Sequence, residues 1–335
     1  ISFHCIFKFY KNDKKLCYAM SLLFFILGIF SKPAVIILPF IFLFLSIFMN
    51  NKNFHVSLFE MIPFFAICVL SYYLNQLCTP PSPGNSLKYI LFRAYYIPDI
   101  FTLFLEKVFL LSSPCAFYSW TFIIKNSKNW LAFIVIVLFI IIFIRNFNKN
   151  NMASFALNSF VVSLLPAVLV VTLNYRDFCT ADRYFYFPLF WFIFFLIFKL
   201  LQTSCLMAFF MRFIILFWLA SAAISSFKQM KTWENGETLW KSVIIIDAEN
   251  PLAHYNLGNI YFRQSKLDLA ELHYIHSLKY FPDYEAFYNL ALVKEKQKDY
   301  DSAKKYYERV LSLNPDFSPA KIRLAIIKTR NENKE

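Results

Sequence analysis

The sequence predicts an all-α protein in which a polytopic transmembrane helix bundle runs directly into a short α-solenoid, and three observations carry that prediction. Uninterrupted apolar runs recur from Leu16 to Phe227, in a chain of 335 residues that is 59% hydrophobic and 21% aromatic. Runs of that kind belong in a bilayer. After Phe227 the composition turns abruptly polar. From Pro251 onward, small, aromatic and proline residues then recur 33 positions apart, close to the period of stacked helical hairpins.

The elements follow in chain order. The chain begins at Ile1 without a Met or a charged leader, and Ile1–Tyr10 reads as the tail of a helix that started upstream. A fragment lacking its N-terminal part is therefore expected. Leu16–Phe30 and Ala34–Met49 flank Ser31-Lys32-Pro33. Each is roughly 22–24 Å long at the helical rise, fitting either two tilted helices around a tight turn or one broken helix. Val56–Leu77 has a spanning length and carries Pro63, a candidate kink, and the Pro-rich stretch Cys78–Ser86 is a loop. Leu87–Ser112 is apolar but holds Arg93, Asp99, Glu106 and Lys107, which suits an interfacial helix or one lining a polar cavity. Trp130–Ile144, Phe155–Leu173, Tyr184–Leu201 and Leu206–Phe227 complete the bundle. About seven to nine crossings are expected.

Charge follows the same division. Residues 1–227 hold 17 Lys/Arg against 6 Asp/Glu, whereas residues 228–335 hold 17 against 15. The net +13 therefore belongs to loops and helix ends of the bundle, where lipid phosphates and water account for it and nucleic acid does not. The seven cysteines all lie between Cys5 and Cys205 and form no CxxC, so buried thiols are expected. The five histidines show no ligand spacing, and neither a metal nor a cofactor is assigned.

Four regions are expected: a membrane domain over 1–227, a junction helix within 228–250, two repeats over 251–317, and a capping helix with its tail over 318–335. Leu257, Gly258, Tyr261, Ala270, Tyr274 and Pro282 occupy the first repeat's signature positions. Leu290, Ala291, Ala303, Tyr307 and Pro315 follow each 33 residues later, with Lys294 in place of Tyr. Small residues let two antiparallel helices touch and Pro ends the second, which identifies tetratricopeptide-type repeats. Two repeats are few for a stable stack. An amphipathic helix over Trp233–Asp247, with Trp233, Leu239 and Trp240, is expected to add a half-repeat.

Among chemistry-bearing residues, Ala181-Asp182-Arg183-Tyr184-Phe185-Tyr186-Phe187-Pro188 stands out. An Arg at a membrane boundary can grip a phosphate or carboxylate bidentately while an adjacent Asp orients it. An interfacial charge pair above an aromatic belt explains the same residues. Arg93 and Lys107 lie 14 residues apart and would project about 21 Å apart from similar helix faces. Snorkelling to headgroups is the competing explanation for both. Lys32 beside Pro33 is a third basic candidate.

Four stretches taken in order resemble the transmembrane and tetratricopeptide-repeat-containing protein O-mannosyltransferases, within the multi-spanning (type C) glycosyltransferases. They are Ser21–Pro39 with its Ser-Lys-Pro turn, Arg93 through Lys107 to Phe117-Tyr118, Ala181–Pro188, and Trp233–Trp240 followed by Ala253–Gly258. Leu111, Ser119 and Ala248 depart from the pattern where Pro is expected. The resemblance implies transfer of a sugar from a polyprenyl-phosphate sugar to a protein hydroxyl or another acceptor. In that setting Arg183, Asp182, Arg93, Lys107 and Lys32 become candidates for the lipid phosphate, and the repeats for binding the acceptor. The family's acidic catalytic residues are expected upstream of Ile1, so catalytic residues are unassigned. A non-enzymatic membrane-anchored scaffold is the alternative, and a lipid-linked sugar transporter a weaker third. Arg145 and Lys149 favour a cytoplasmic loop, which with the resemblance puts the repeats outside, in a bacterial inner membrane; Lys228 and Lys231 pull the other way. A cysteine at Ser277 would report the side.

Overall fold

The computed structural model describes residues 1–12, 14–31, 33–50, 54–78, 95–110, 115–127, 129–147, 151–164, 178–180, 186–202 and 205–332. It is helical almost throughout and divides into two compact units. The first comprises Ile1–Ser112, Ser127–Tyr175 and Asp182–Ala222; the second comprises Ser113–Asn126, Arg176–Ala181 and Ala223–Glu335.

The first unit contains α1 (Ser2–Asn12), α2 (Lys15–Ser31), a 3-10 turn at Pro33–Ile37, α3 (Leu38–Asn50), α4 (Phe54–Cys78) and α5 (Ile97–Leu110). Two distinct helices thus lie on either side of the 3-10 segment at Pro33–Ile37, and Pro63 lies inside an unbroken α4. After a segment of the second unit that carries β1 (Tyr118–Ser119) and α6 (Trp120–Lys125), the first unit resumes with α7 (Asn129–Phe147) and α8 (Met152–Ser163). Strand β2 (Phe178–Thr180) again belongs to the second unit, and α9 (Tyr186–Gln202) returns to the first. The last helix, α10 (Cys205–Thr232), continues into the second unit.

Aromatic side chains form the bundle's interior. Phe64 meets Phe25 and Phe42 edge-on, each at 5.3 Å between centroids, and Trp191 meets Phe155 edge-on at 5.4 Å. Short polar side chains tie helices together inside it. The Ser2 hydroxyl donates to the Ser21 carbonyl at 2.8 Å and the Ser21 hydroxyl donates back to the Ser2 carbonyl at 2.9 Å. Buried hydroxyls of this kind must find partners, and backbone carbonyls supply them. Among the described residues, one helical stretch, Phe209–Thr232, is both long and apolar enough to cross a bilayer, and six shorter helices are apolar.

In the second unit, α10 ends at Thr232 and Trp233-Glu234-Asn235 forms a turn before α11 (Gly236–Ile246). The sequence reading ran that helix from Trp233. It starts later because the Asn235 side chain accepts from the Thr238 N–H while the Thr238 hydroxyl accepts from the Asn235 N–H, a capping box that fixes the first turn. Five further helices follow: α12 (Pro251–Arg263), α13 (Leu267–Tyr280), α14 (Tyr284–Lys296), α15 (Tyr300–Leu313) and α16 (Ser318–Glu332). Each packs on the next. Ser265 (φ 59°) and Lys298 (φ 67°) end α12 and α14 in the left-handed region. Both ends carry the same bond pair, Ser265 N–H to Phe262 O and Lys266 N–H to Tyr261 O, repeated as Lys298 to Glu295 and Asp299 to Lys294. These are Schellman caps. The sequence reading missed the antiparallel β1–β2 pair, in which Tyr118 faces Thr180 and Ser119 faces Phe178.

Candidate functional site

The repeat geometry starts from the small residues. A Cβ added at Gly258 would lie 2.6 Å from the Tyr274 ring, so only Gly lets α12 and α13 approach with that ring between them. At the equivalent position Ala291 is buried and clusters with Ala303 and Tyr307. Leu257, Ala270, Tyr274 and Leu290 are each 1% exposed or less, and Tyr261 is buried. Pro282 and Pro315 sit exposed in the turns after α13 and α15. The first of these turns spans three residues, 281–283, and the second four, 314–317, which accounts for the 33-residue interval between the pairs.

Lys294, the departure from the repeat pattern, has a structural explanation. The Tyr261 hydroxyl donates to Glu237 of α11 at 3.2 Å. One repeat later, Lys294 pairs with Glu271 of α13 at 2.6 Å, in a partly buried setting. Gln264 donates to Glu237, and Gln297 donates to Glu271. Lys294 thus makes the signature Tyr's reach-back contact with a charge. The same equivalence places α11 where the second helix of a preceding repeat would stand, and small Gly236 aligns with Ala270 and Ala303. Hydrogen bonds from Lys241, then Gln264, hold the Glu237 carboxyl down at about 2.

The first helices, α12, α14 and α16, present aligned residue pairs one turn apart: Tyr255 and Asn259, Tyr288 and Leu292, Ile322 and Ile326. In stacked repeats this layer forms the concave binding face. Asn259 accepts from the Tyr274 hydroxyl at 2.7 Å and from the Asn289 amide at 2.9 Å; that amide also donates to the Tyr255 hydroxyl at 3.2 Å. The network fixes side-chain amides and a phenol on a rigid support. Towards α16 the face turns aliphatic, and Ile322 and Ile326 are exposed. Side-chain amides beside exposed apolar groups suit an extended peptide, whose backbone needs donors and acceptors and whose side chains need apolar contacts.

Behind this layer His254, His273 and His276 converge. His254 and His273 bring their Nδ1 atoms to 2.9 Å, and His254 stacks on His276 at 5.0 Å. His254 Nε2 lies 3.1 Å from the Ala248 carbonyl. That carbonyl only accepts, so His254 carries its proton on Nε2 and accepts at Nδ1 from His273. Burial depresses the His254 pKa; burial, then neighbouring His254 and His276, bring His273 to about 4. No group of His, Cys, Asp and Glu suited to a metal occurs among the described residues.

The donor candidates fare differently. Lys32, Arg93, Asp182 and Arg183 lie outside the described residues. Lys107 lies on α5, and its side chain is likewise outside them. Ser277 is buried and donates to the Pro251 carbonyl at 2.9 Å, so it is a poor labelling position; exposed Ser312 on α15 replaces it.

Residues 284–317 match the tetratricopeptide repeat family. They contain α14, α15 and the turn that follows. No curated protein matches the chain. Tetratricopeptide repeats bind proteins, and the C-terminal region is accordingly a protein-interaction element. The sequence reading missed the paired Glu237/Gln264 and Glu271/Gln297 contacts. Their signal was present: the two Glu stand 34 residues apart and the two Gln 33.

Proposed function

We propose that the chain belongs to an integral-membrane glycosyltransferase-like protein that takes a sugar from a polyprenyl-phosphate sugar and delivers it to a protein or another acceptor held by the tetratricopeptide repeats. The observation carrying this reading is the order of sequence stretches from the Ser-Lys-Pro turn through Phe117-Tyr118 and Asp182-Arg183 to the Trp233–Trp240 junction. The structure adds support of a physical kind. The bundle turns large apolar side chains outward, as a hydrocarbon solvent requires, while the repeats offer a face suited to a peptide. Arg183 is the first choice for the donor phosphate and Asp182 for its orientation, with Arg93, Lys107 and Lys32 as further cationic candidates. The repeats lie outside the cytoplasm of a bacterial inner membrane.

Purified full-length protein should consume a polyprenyl-phosphate sugar, and Arg183→Ala should lower turnover roughly a hundredfold, as loss of a charged phosphate clamp does. Absence of turnover from a protein that still binds a protein partner would replace this reading with a second one. That second reading, a non-enzymatic membrane-anchored scaffold, is favoured by the repeat match at 284–317.

A further inference from the structure

Within the second unit, the segment that follows α5 is fastened to the repeat stack at four points. The Phe117 ring stacks on Trp240 of α11 at 5.3 Å and 17°. The Ser119 N–H donates to Asp247 Oδ2 at 3.0 Å. The Asn250 amide donates to the Phe117 carbonyl at 3.2 Å and to the same Asp247 oxygen at 2.9 Å. At the rim, Lys125 pairs with Glu249 at 2.6 Å. Asp247 and Asn250 are 4% and 0% exposed. A carboxylate taken that far from water is costly unless donors surround it, and here two donors converge on one oxygen.

The anchoring residues are also the residues that build the repeats. Asn250 Oδ1 caps α12 by accepting the Ala253 N–H at 3.0 Å, and Asp247 ends α11. Ser119, one of the departures noted in the sequence, supplies the N–H that Asp247 accepts; a proline there would have none. Ser119 and Tyr118 then pair with β2, and the chain reaches Asp182 two residues beyond Thr180.

We infer that Trp240, Asp247 and Asn250 are positioning residues: they make the repeat stack the fixed support for Phe117–Ser119 and, through β1–β2 pairing, for Phe178–Thr180. On this view the repeats do more than capture an acceptor, because they also hold Phe117-Tyr118, one of the stretches that carry the family resemblance. The catalytic consequence rests on the glycosyltransferase reading, whereas the support itself does not.

Amide exchange measured by mass spectrometry on the full-length protein in lipid nanodiscs tests the support. Asp247→Ala and Ser119→Pro should each speed exchange roughly tenfold or more across 117–119 and 178–180, as loss of a buried charge-assisted bond implies. Amides of α14 and α15 should be unchanged, showing that the repeats still fold. Trp240→Ala should act likewise, and Trp240→Phe should restore protection by keeping the stack. Unchanged exchange at both strands in all these variants would overturn the support. The positioning role is read from donor turnover: kcat should fall roughly tenfold in Asp247→Ala, with affinity for a groove-bound peptide unaltered. Faster strand exchange with wild-type kcat would overturn that role. If wild-type protein turns over no donor, the glycosyltransferase reading fails, and the exchange result still decides the support.

Discussion

In the bundle, Phe59, Phe213 and Phe217 turn outward with roughly 70% of their surface exposed, while Ser21, Ser46, Ser57 and Asn158 lie buried. The repeat stack also buries apolar residues, among them Leu257, Tyr274, Ala291 and Tyr307, but its lysines and glutamates mostly face out. Both regions are helical, so the kind of secondary structure does not distinguish them. Their solvents do. Burying apolar area drives folding only where water is the alternative, and the repeats follow that rule. The bundle also turns large apolar side chains outward, which under the proposed membrane placement would meet hydrocarbon, and its helices are joined by aromatic packing and small hydrogen-bonded hydroxyls.

The largest effect that could break this comparison comes from one substitution placed at two exposed positions. Phe213→Asp on α10 should cost roughly 3–4 kcal/mol of membrane insertion. Ile245→Asp on α11, where the side chain is 85% exposed, should change repeat stability by no more than about 0.5 kcal/mol. Equal tolerance, measured by the fraction of protein in the membrane pellet and by thermal melting, would show that the two surfaces face the same solvent.

A pair of glycines sharpens the packing side of the comparison. Gly258→Ala drives a methyl group into the Tyr274 ring and should destabilise the repeats by about 1–3 kcal/mol. At Gly28 in α2 the nearest neighbour of an added Cβ is a Val35 methyl at 3.3 Å, which can shift, so Gly28→Ala should be close to neutral. Local amide exchange distinguishes the two outcomes.

Acidification should then act on the repeats first. His254 and His273 titrate lower in the folded state than in the unfolded chain, so the unfolded chain binds protons more readily. Stability is complete above about pH 6.5 and is lost progressively as pH falls towards about 4. A melting series across that range should show the loss, and His273→Phe should flatten it. The smallest effect is at the junction: Asn235→Ala removes the capping box and should cost about 1 kcal/mol.

How much was legible in the sequence also differs between the two regions. Repeat signatures are local and periodic, so Leu257, Gly258 and Tyr274 could be placed from spacing alone. The helices of the bundle were legible from apolar runs, but their ends were not: α10 extends five residues beyond Phe227 because nothing breaks it before the Asn235 cap. The strand pair joins residues about sixty positions apart, and the anchoring of Phe117 on Trp240 joins residues more than a hundred apart. Such contacts leave no periodic trace, and two- or three-residue strands are too short to show alternation. The substitution of Lys294 for Tyr is explained by Glu271 on the neighbouring helix, a partner that the repeat signature does not reveal.

The most direct test of the central claim uses membrane sidedness. The chain leaves the second unit after Asn126, re-enters it at Arg176, leaves again after Ala181 and re-enters at Ala223. If the bundle spans a membrane, each excursion must cross it an even number of times, and both loops share a side with the repeats. Single cysteines at exposed Ile124 and Ser312, in a cysteine-free background, should both react with an impermeant maleimide in intact cells. Labelling of one position in intact cells and of the other only after permeabilisation would contradict the account.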